Sequence, residues 1–247
     1  MGLVGSEMCI RDRQKISLIS KMSDKPKSLI AGSTGLVGSL LLKDLSSGDA
    51  PVILISRKAN QFLTKNTSEI IINFDDLLSD TFDLSEEIDH VYLCLGKRLF
   101  TYELGYMPEK NRDTFKKIDF DYPLAIAKLA FQNGAKSIAI VSAIGAKEGS
   151  PNYYFHIKGK LENAIKEIGF ENVCIAQPGH LLGKRNDFRG HEIPFLEGAL
   201  NISAPLMQGP LKNFRQVEAE RVAKAMIQEL RKNYGRVKIL RYTDFLI

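Results

Sequence analysis

Ser28-Leu29-Ile30-Ala31-Gly32-Ser33-Thr34-Gly35-Leu36-Val37-Gly38 is a short apolar strand, a glycine turn and the opening of a helix, in that order. The apolar helical pattern runs on to Leu45. The first glycine permits a tight turn, the second lets backbone approach a diphosphate, and the third lets the helix pack close to the strand. The N-terminus of such a helix offers unpaired N–H groups and a positive dipole end to phosphate. Gly32, Ser33, Thr34, Gly35, Leu36 and Val37 are therefore the candidate phosphate cradle. The spacing is G-x-x-G-x-x-G; its position straight after a first strand carries the reading.

Outward from this turn, short apolar runs alternate with helical patterns. Strands are expected at Val52–Ile55, Ile70–Phe74, Val91–Leu95, Ser137–Ser142, Asn172–Gln177 and Val237–Arg241. Helices are expected over Asp76–Leu84, Arg112–Asn133, Tyr153–Ile168 and Gln216–Asn233, with Gly134 and Gly169 as stops. Alternation with near-continuous apolar strands predicts an α/β fold, a doubly wound parallel sheet of Rossmann type. The Gly- and Pro-containing stretch 179–215 reads as a small C-terminal substrate-binding insertion.

The chain has 247 residues, 44% of them hydrophobic, enough for one α/β domain. No apolar run approaches a membrane-spanning length, so no membrane partner is expected. Three scattered cysteines and four scattered histidines predict no disulfide framework and no metal site. With no secretory signal, this composition predicts a cytoplasmic protein. The net charge of +5 comes without a basic run, so nucleic acid is not an expected partner. Residues Glu7-Met8-Cys9-Ile10-Arg11-Asp12-Arg13 resemble a translated sequencing adapter. Residues 1–21 are accordingly expected to be a non-native or disordered extension, with a natural start at Met22 and a single domain over 22–247.

The second strand ends Ile55-Ser56-Arg57-Lys58. A carboxylate there would hold adenosine ribose hydroxyls and repel a 2′-phosphate, whereas Arg57 can pair with that phosphate in bidentate fashion. Ser56, Arg57 and Lys58 therefore point to NADP(H). Asn73 and Phe74 are placed to line the adenine pocket, and Leu95 and Gly96 to lie under the riboses.

Three Tyr-x-x-x-Lys pairs occur, and i,i+4 spacing puts both side chains on one face only within a helix. Tyr106/Lys110 spans Pro108, and Tyr234/Lys238 spans Gly235. Tyr154/Lys158 alone falls in a helix following a strand, and that strand delivers Ser142 to the same sheet edge. A neighbouring ammonium is expected to lower the phenol's pKa toward a useful acid/base range.

These motifs occur in order with Cys94-Leu95-Gly96, Val141-Ser142-Ala143-Ile144-Gly145-Ala146, Tyr154-Phe155-His156-Ile157-Lys158-Gly159 and Gln177-Pro178-Gly179. From about Ser28 onward the chain resembles the atypical short-chain dehydrogenase/reductases, the NAD(P)-binding group that includes the human Tat-interacting tumour-suppressor protein and bacterial relatives. The resemblance implies NADP(H)-dependent hydride transfer to or from a small carbonyl or alcohol. Tyr154 would be the acid/base, Lys158 would hold the nicotinamide ribose, and Ser142 would bind the reacting oxygen. Pro178 and Gly179 would approach the nicotinamide end. Ala143 stands where relatives often carry a second serine, and Gln177 replaces a common arginine.

Lys97 and Arg98 after the fourth strand, and Lys184, Arg185 and Arg189 after the sixth, read either as contacts for an anionic substrate or as neutralisation of cofactor phosphates. Cys94 and Cys174 read as buried apolar residues, and His156 and His180 as packing or solvent-facing groups. Two other functions fit the sequence: a non-catalytic NADP(H)-binding sensor or regulator, and a sugar-nucleotide epimerase or dehydratase. The oligomeric state stays open, a homo-oligomer included.

Overall fold

The computed structural model describes residues 25–61, 63–79, 82, 84, 86–183, 208–232 and 235–246. Seven strands form one parallel sheet: β1 (Ser28–Ala31), β2 (Val52–Ser56), β3 (Thr67–Ile71), β4 (His90–Leu93), β5 (Ser137–Val141), β6 (Asn172–Ala176) and, two short strands further on, β9 (Val237–Leu240). Their order is β3-β2-β1-β4-β5-β6-β9, so the chain runs outward from β1, returns at β4 and continues the other way. Ligands bind at this switch point, beyond the carboxyl ends of β1 and β4, in doubly wound sheets.

Both faces of the sheet are dry, which explains the continuous apolar runs. Leu29, Ala31, Ile53, Ile55, Val91, Leu93, Ile138 and Ile140 point to one face. Helices α3 (Glu109–Lys116), α4 (Tyr122–Gln132) and α5 (Tyr153–Ile168) cover it with Phe115, Ile126, Ile157, Leu161 and Ile165. Ile30, Leu54, Tyr92, Ala139 and Cys174 point to the other, under α1 (Leu36–Ser46) and α6 (Ala219–Lys232). Successive strand residues alternate between the two clusters, as the period of two requires.

Three expected elements differ. Of the helix expected over Asp76–Leu84, the described residues hold only a 3-10 turn, Asp76–Leu78, which Ser79 ends in extended backbone. β3 starts three residues before the expected Ile70 and ends at Ile71, because its register is fixed by Thr67 facing Val52 and Ser56 facing Ile71. It is the edge strand, half exposed, so its polar residues cost nothing there. The helix expected over 112–133 starts at Glu109 and carries a π turn, Lys117–Asp121, between α3 and α4. A short helix α2 (Thr101–Gly105) was not foreseen.

A two-stranded pair, β7 (Leu181–Leu182) with β8 (Val217–Glu218), stands at the carboxyl edge. It packs beside α1: a Cβ on Gly183 would lie 2.6 Å from a Leu36 methyl. Most of the expected substrate-binding stretch, residues 184–207, and the whole of 1–21 lie outside the described residues.

Candidate functional site: a dinucleotide cleft and a tyrosine–lysine helix

The glycine turn is built as close-packed backbone. Gly32 has φ +88°, and a Cβ there would meet the Cys94 carbonyl oxygen at 2.6 Å. A Cβ on Gly38 would sit 2.1 Å from the Gly32 oxygen. Gly35 is different: its nearest neighbour would be 3.2 Å away, and it lines an open cleft of ≈ 460 Å³. Helix α1 starts there with no side-chain cap and no acid in its first turn, which leaves N–H groups and dipole for an anion. Thr34 also lines the cleft, with Arg57, Phe74, Leu95, Gly96, Ile118 and Tyr122. Ser33 and the Val37 side chain are buried, so neither side chain reaches it; Val37 belongs to the core. Leu36 packs toward Gly183. A turn closed to Cβ atoms at Gly32 and Gly38, open to the cleft at Gly35 and leading into an uncapped helix, fits a dinucleotide diphosphate.

At the adenosine end, the Arg57 guanidinium lies over the Phe74 ring, 5.7 Å from its centroid. Ser56 does not face the cleft as expected. It is buried, and its hydroxyl donates to the Lys58 carbonyl (2.8 Å) and to Glu69 (2.7 Å). Glu69 also accepts from the Asn60 N–H, and the Asn60 amide donates to Ser33 Oγ (3.2 Å). The loop carrying Arg57 and Lys58 is thereby pinned to the glycine turn. Sequence reasoning missed Glu69, which β3 contributes from outside the motif. Asn73 is exposed, and its side-chain oxygen accepts from the Asp75 N–H, so it caps a turn and is not among the residues lining this cleft. The Asp75 carboxylate accepts from Tyr122 Oη (2.6 Å), holding the loop after β3 against the helix that flanks the cleft.

Tyr154 and Lys158 share a face of α5, as expected. The helix begins cleanly because the Asn152 side chain accepts from the Phe155 N–H, and it ends at Gly169. Tyr154 is half-buried against Phe115 (centroids 5.7 Å) and Phe155 (5.2 Å). Lys158 is buried, and its ammonium lies 2.8 Å from Asp119 Oδ1. Asp119 sits in the π turn, and its other oxygen accepts the Lys97 N–H at 2.7 Å. A Cβ on Gly96 would be 3.5 Å from Asp119, which ties this ion pair to the cleft floor. Burial works to lower the Lys158 pKa, but Asp119, Tyr154 and Glu162 overcome it and hold the ammonium above its ordinary value.

The expected lowering of the Tyr154 pKa is not the net outcome. Burial raises it, Lys158 lowers it and Asp119 raises it, leaving the phenol above its ordinary value. The ammonium acts in the anticipated direction, but Asp119 and desolvation outweigh it. Asp119 had one visible signal: a carboxylate at an inward position among Phe115, Tyr122 and Ile126.

Ser142 is brought to the right sheet edge but is not free. Its buried hydroxyl donates to Glu162 Oε1 (2.5 Å), one turn beyond Lys158 on α5. The Gln177 amide donates to both Glu162 oxygens (2.9 and 3.1 Å), and Arg241 Nε donates to Gln177 Oε1 (3.3 Å). The amide at 177 thus completes a buried network in which an acid, a serine and a glutamine satisfy one another. Glu162 could have been suspected from its i,i+4 spacing to Lys158.

Lys97 is engaged as well. Its ammonium lies 3.8 Å from Glu103, a buried acid that also accepts from the Phe100 N–H and the Asn111 amide. Lys184, Arg185 and Arg189, grouped with it in the sequence, lie outside the described residues. Pro178 is buried, and its carbonyl accepts the Ile144 N–H. Gly179 is close-packed on Phe214 and Arg215, where a Cβ would meet a carbonyl at 2.6 Å. Cys174 is buried and Cys94 is partly buried against the core; burial pushes both thiols up, Cys94 to about 12. His156 Nδ1 accepts the Gly149 N–H, and the His180 carbonyl accepts the Val217 N–H. Tyr106 is exposed beyond α2 with Lys110 in α3, and Tyr234 lies outside the described residues. Among the described residues no group of acids, histidines and cysteines could hold a metal ion.

Comparison with known proteins agrees with this architecture. The protein named FMP52, mitochondrial, of Candida albicans is 33% identical over 165 residues, 66% of this chain and 70% of that protein. HTATIP2 of Rattus norvegicus is 28% identical over 177 residues, covering 70% and 69%. No family model matches the chain. Among solved structures, a UDP-glucose 4-epimerase superposes with a TM-score of 0.64 at 16% identity, covering 87% of this chain and 76% of that one. The human epimerase family protein SDR39U1, solved with NADPH, gives 0.58 at 17%, covering 87% and 72%. At these identities the structures speak for the fold alone. Fold, glycine turn and relatives together define an NAD(P)-binding protein of the atypical short-chain dehydrogenase/reductase class. Within that class, the chain belongs to the FMP52 family. The cytoplasmic expectation is corrected: six relatives carry mitochondrial in their names, which conflicts with a purely cytoplasmic placement. Composition and the lack of a signal pattern carry no information on that distinction. Among the described residues, no helix is long and apolar enough to cross a membrane.

Proposed function

We propose that the protein is an NADP(H)-dependent oxidoreductase acting on a small carbonyl compound or alcohol, with Tyr154 as its acid/base. The observation that carries the reading is the buried Lys158 ammonium. It shares a helix face with Tyr154 and is joined through Asp119 to the floor of the glycine-turn cleft.

Backbone N–H groups of Leu36 and Val37 would hold the diphosphate, and Thr34 would flank it; the Gly35 N–H closes the turn on the Gly32 carbonyl (3.0 Å). Arg57, exposed and stacked on Phe74, would pair with the 2′-phosphate while Phe74 meets the adenine. Lys58 would add charge at that end. Leu95 and Gly96 would underlie the riboses, with Lys158 donating to the nicotinamide ribose. Pro178 and Gly179 would border the nicotinamide end. A dinucleotide held there would supply hydride, and with it two electrons, for the carbonyl carbon. Tyr154 gives its proton to the oxygen as the C=O π bond opens, and the phenolate regains a proton from solvent. The substrate is read as a small molecule rather than a nucleic acid.

A second reading, a cofactor-binding regulator without turnover, is favoured by one observation: the only serine hydroxyl at the end of β5 is committed to Glu162. Tyr154→Phe decides between them. The expected result is loss of NADPH oxidation across a panel of aldehydes and ketones, with NADPH binding by thermal shift nearly intact. An active Tyr154→Phe enzyme refutes the role of Tyr154. Tight NADPH binding by a wild-type protein that oxidises none of the panel supports the regulator. Larger stabilisation by NADPH than by NADH is expected; the reverse removes the case for Arg57.

A further inference from the structure

We propose that Asp119 is a positioning residue: by anchoring and charge-balancing the Lys158 ammonium it keeps Tyr154 in its phenol form, so that the site donates a proton to a carbonyl oxygen and works in the reducing direction. The inference rests on the oxidoreductase reading and deepens it.

The geometry is specific. Asp119 and Lys158 are 1% and 7% exposed and 2.8 Å apart. Asp119 is also fixed through its second oxygen to the Lys97 N–H, on the loop that floors the cleft. A π turn is what brings it inward, and such irregularities concentrate at functional sites. The charged and titratable groups around the pair come from every element packed against it. They are Asp119 from the π turn, Glu162 and Tyr154 from α5, Cys94 from the end of β4, and the Lys97–Glu103 pair from the following loop. Asp119 favours protons on both Tyr154 and Lys158, whereas Glu162 acts on Lys158 alone and is already satisfied by Ser142 and Gln177. A lone ammonium beside the phenol would favour phenolate, the form that accepts a proton from an alcohol. An ammonium already matched by a carboxylate does so less, and burial adds to the preference for phenol.

The test needs no turnover. Protein carrying ζ-¹³C tyrosine and ε-¹³C lysine is titrated by NMR without dinucleotide. The Tyr154 and Lys158 signals are identified by their loss in Tyr154→Phe and Lys158→Arg. Because the two groups are coupled, the quantity read is the pH at which the pair loses its first proton. Asp119→Asn should move it down by about one pH unit or more, and Asp119→Glu should restore it. The alkaline limb of the NADPH-oxidation profile should move with it. A first deprotonation at or above the wild-type pH in Asp119→Asn overturns the proposal. Should that variant fail to fold, the wild-type protein still decides. Lys158 keeping its proton to higher pH than the exposed lysines supports the role, and losing it with them or earlier overturns it. Titrations that shift as expected in a protein with no reductase activity would remove the oxidoreductase reading alone. Unmoved titrations in an enzyme that Tyr154→Phe inactivates would remove only the role of Asp119.

Discussion

The three glycines of the turn should fail in different ways when replaced by alanine. At Gly38 the new methyl would lie 2.1 Å from the Gly32 oxygen and 2.8 Å from its carbonyl carbon. Both are backbone atoms, so no rotamer change relieves the contact and α1 must move off the turn. Overpacking of this kind costs roughly 1–3 kcal/mol. Gly38 lies within α1, so alanine regains up to about 1 kcal/mol of helix propensity, which offsets only part of the cost. For a domain of this size each kcal/mol shifts Tm by roughly 2–4 °C. At Gly35 the nearest atom would be 3.2 Å away and φ is −77°, so alanine fits with a small adjustment. Its methyl would instead project where the diphosphate should lie. Thermal melts with and without NADPH separate the two. Gly38→Ala should melt several degrees lower without ligand. Gly35→Ala should melt close to wild type yet lose most of the stabilisation by NADPH. Equal ligand-free melting of Gly38→Ala and wild type, or full NADPH stabilisation of Gly35→Ala, would refute the division of labour within the turn.

Two further outcomes follow from the site. Arg57→Ala should weaken NADPH binding by roughly tenfold to a hundredfold, the worth of a charge-assisted hydrogen-bonded pair, and leave NADH nearly unchanged; fluorescence titration with both dinucleotides checks it, and an equal loss for both counts against a 2′-phosphate contact. Ser142→Ala should cost about 1–3 kcal/mol of stability, because it removes a donor from the buried Glu162 carboxylate. Urea denaturation measures this, and a variant with full stability but impaired turnover would return Ser142 to the reacting oxygen.

The fold was legible where one interaction dominated. β1, β2, β5 and β6 are apolar on both faces, so their runs are continuous and their positions nearly unambiguous. β3 was misplaced because an edge strand need not be apolar, and its register comes from β2 rather than from Ile70–Ile72. The pair Tyr154/Lys158 was legible because a helix fixes the geometry of i and i+4 from spacing alone. Asp119, Glu103 and Glu69 were not. Their partners are Lys158, Lys97 and the Ser56 loop, and tertiary packing alone brings these together. The roles given to Ser56, Asn73 and Ser142 from their place at strand ends overlooked buried or local acceptors and donors that claim those side chains first.

Asn152 holds two structures with one amide. Its oxygen accepts the Phe155 N–H and starts α5, while its nitrogen donates to the Leu104 and Gly105 carbonyls at the end of α2, at 2.7 and 3.2 Å. Aspartate or serine could keep the cap, but aspartate has no proton to give the two carbonyls, and serine has only one donor and a shorter reach. Asn152 therefore ties the end of α2 directly to the first turn of the helix bearing Tyr154, beside the contacts that Arg112 and Phe115 of α3 make with Tyr153 and Tyr154. A molecule that displaced α2 would pull on the start of that helix through these two hydrogen bonds of Asn152.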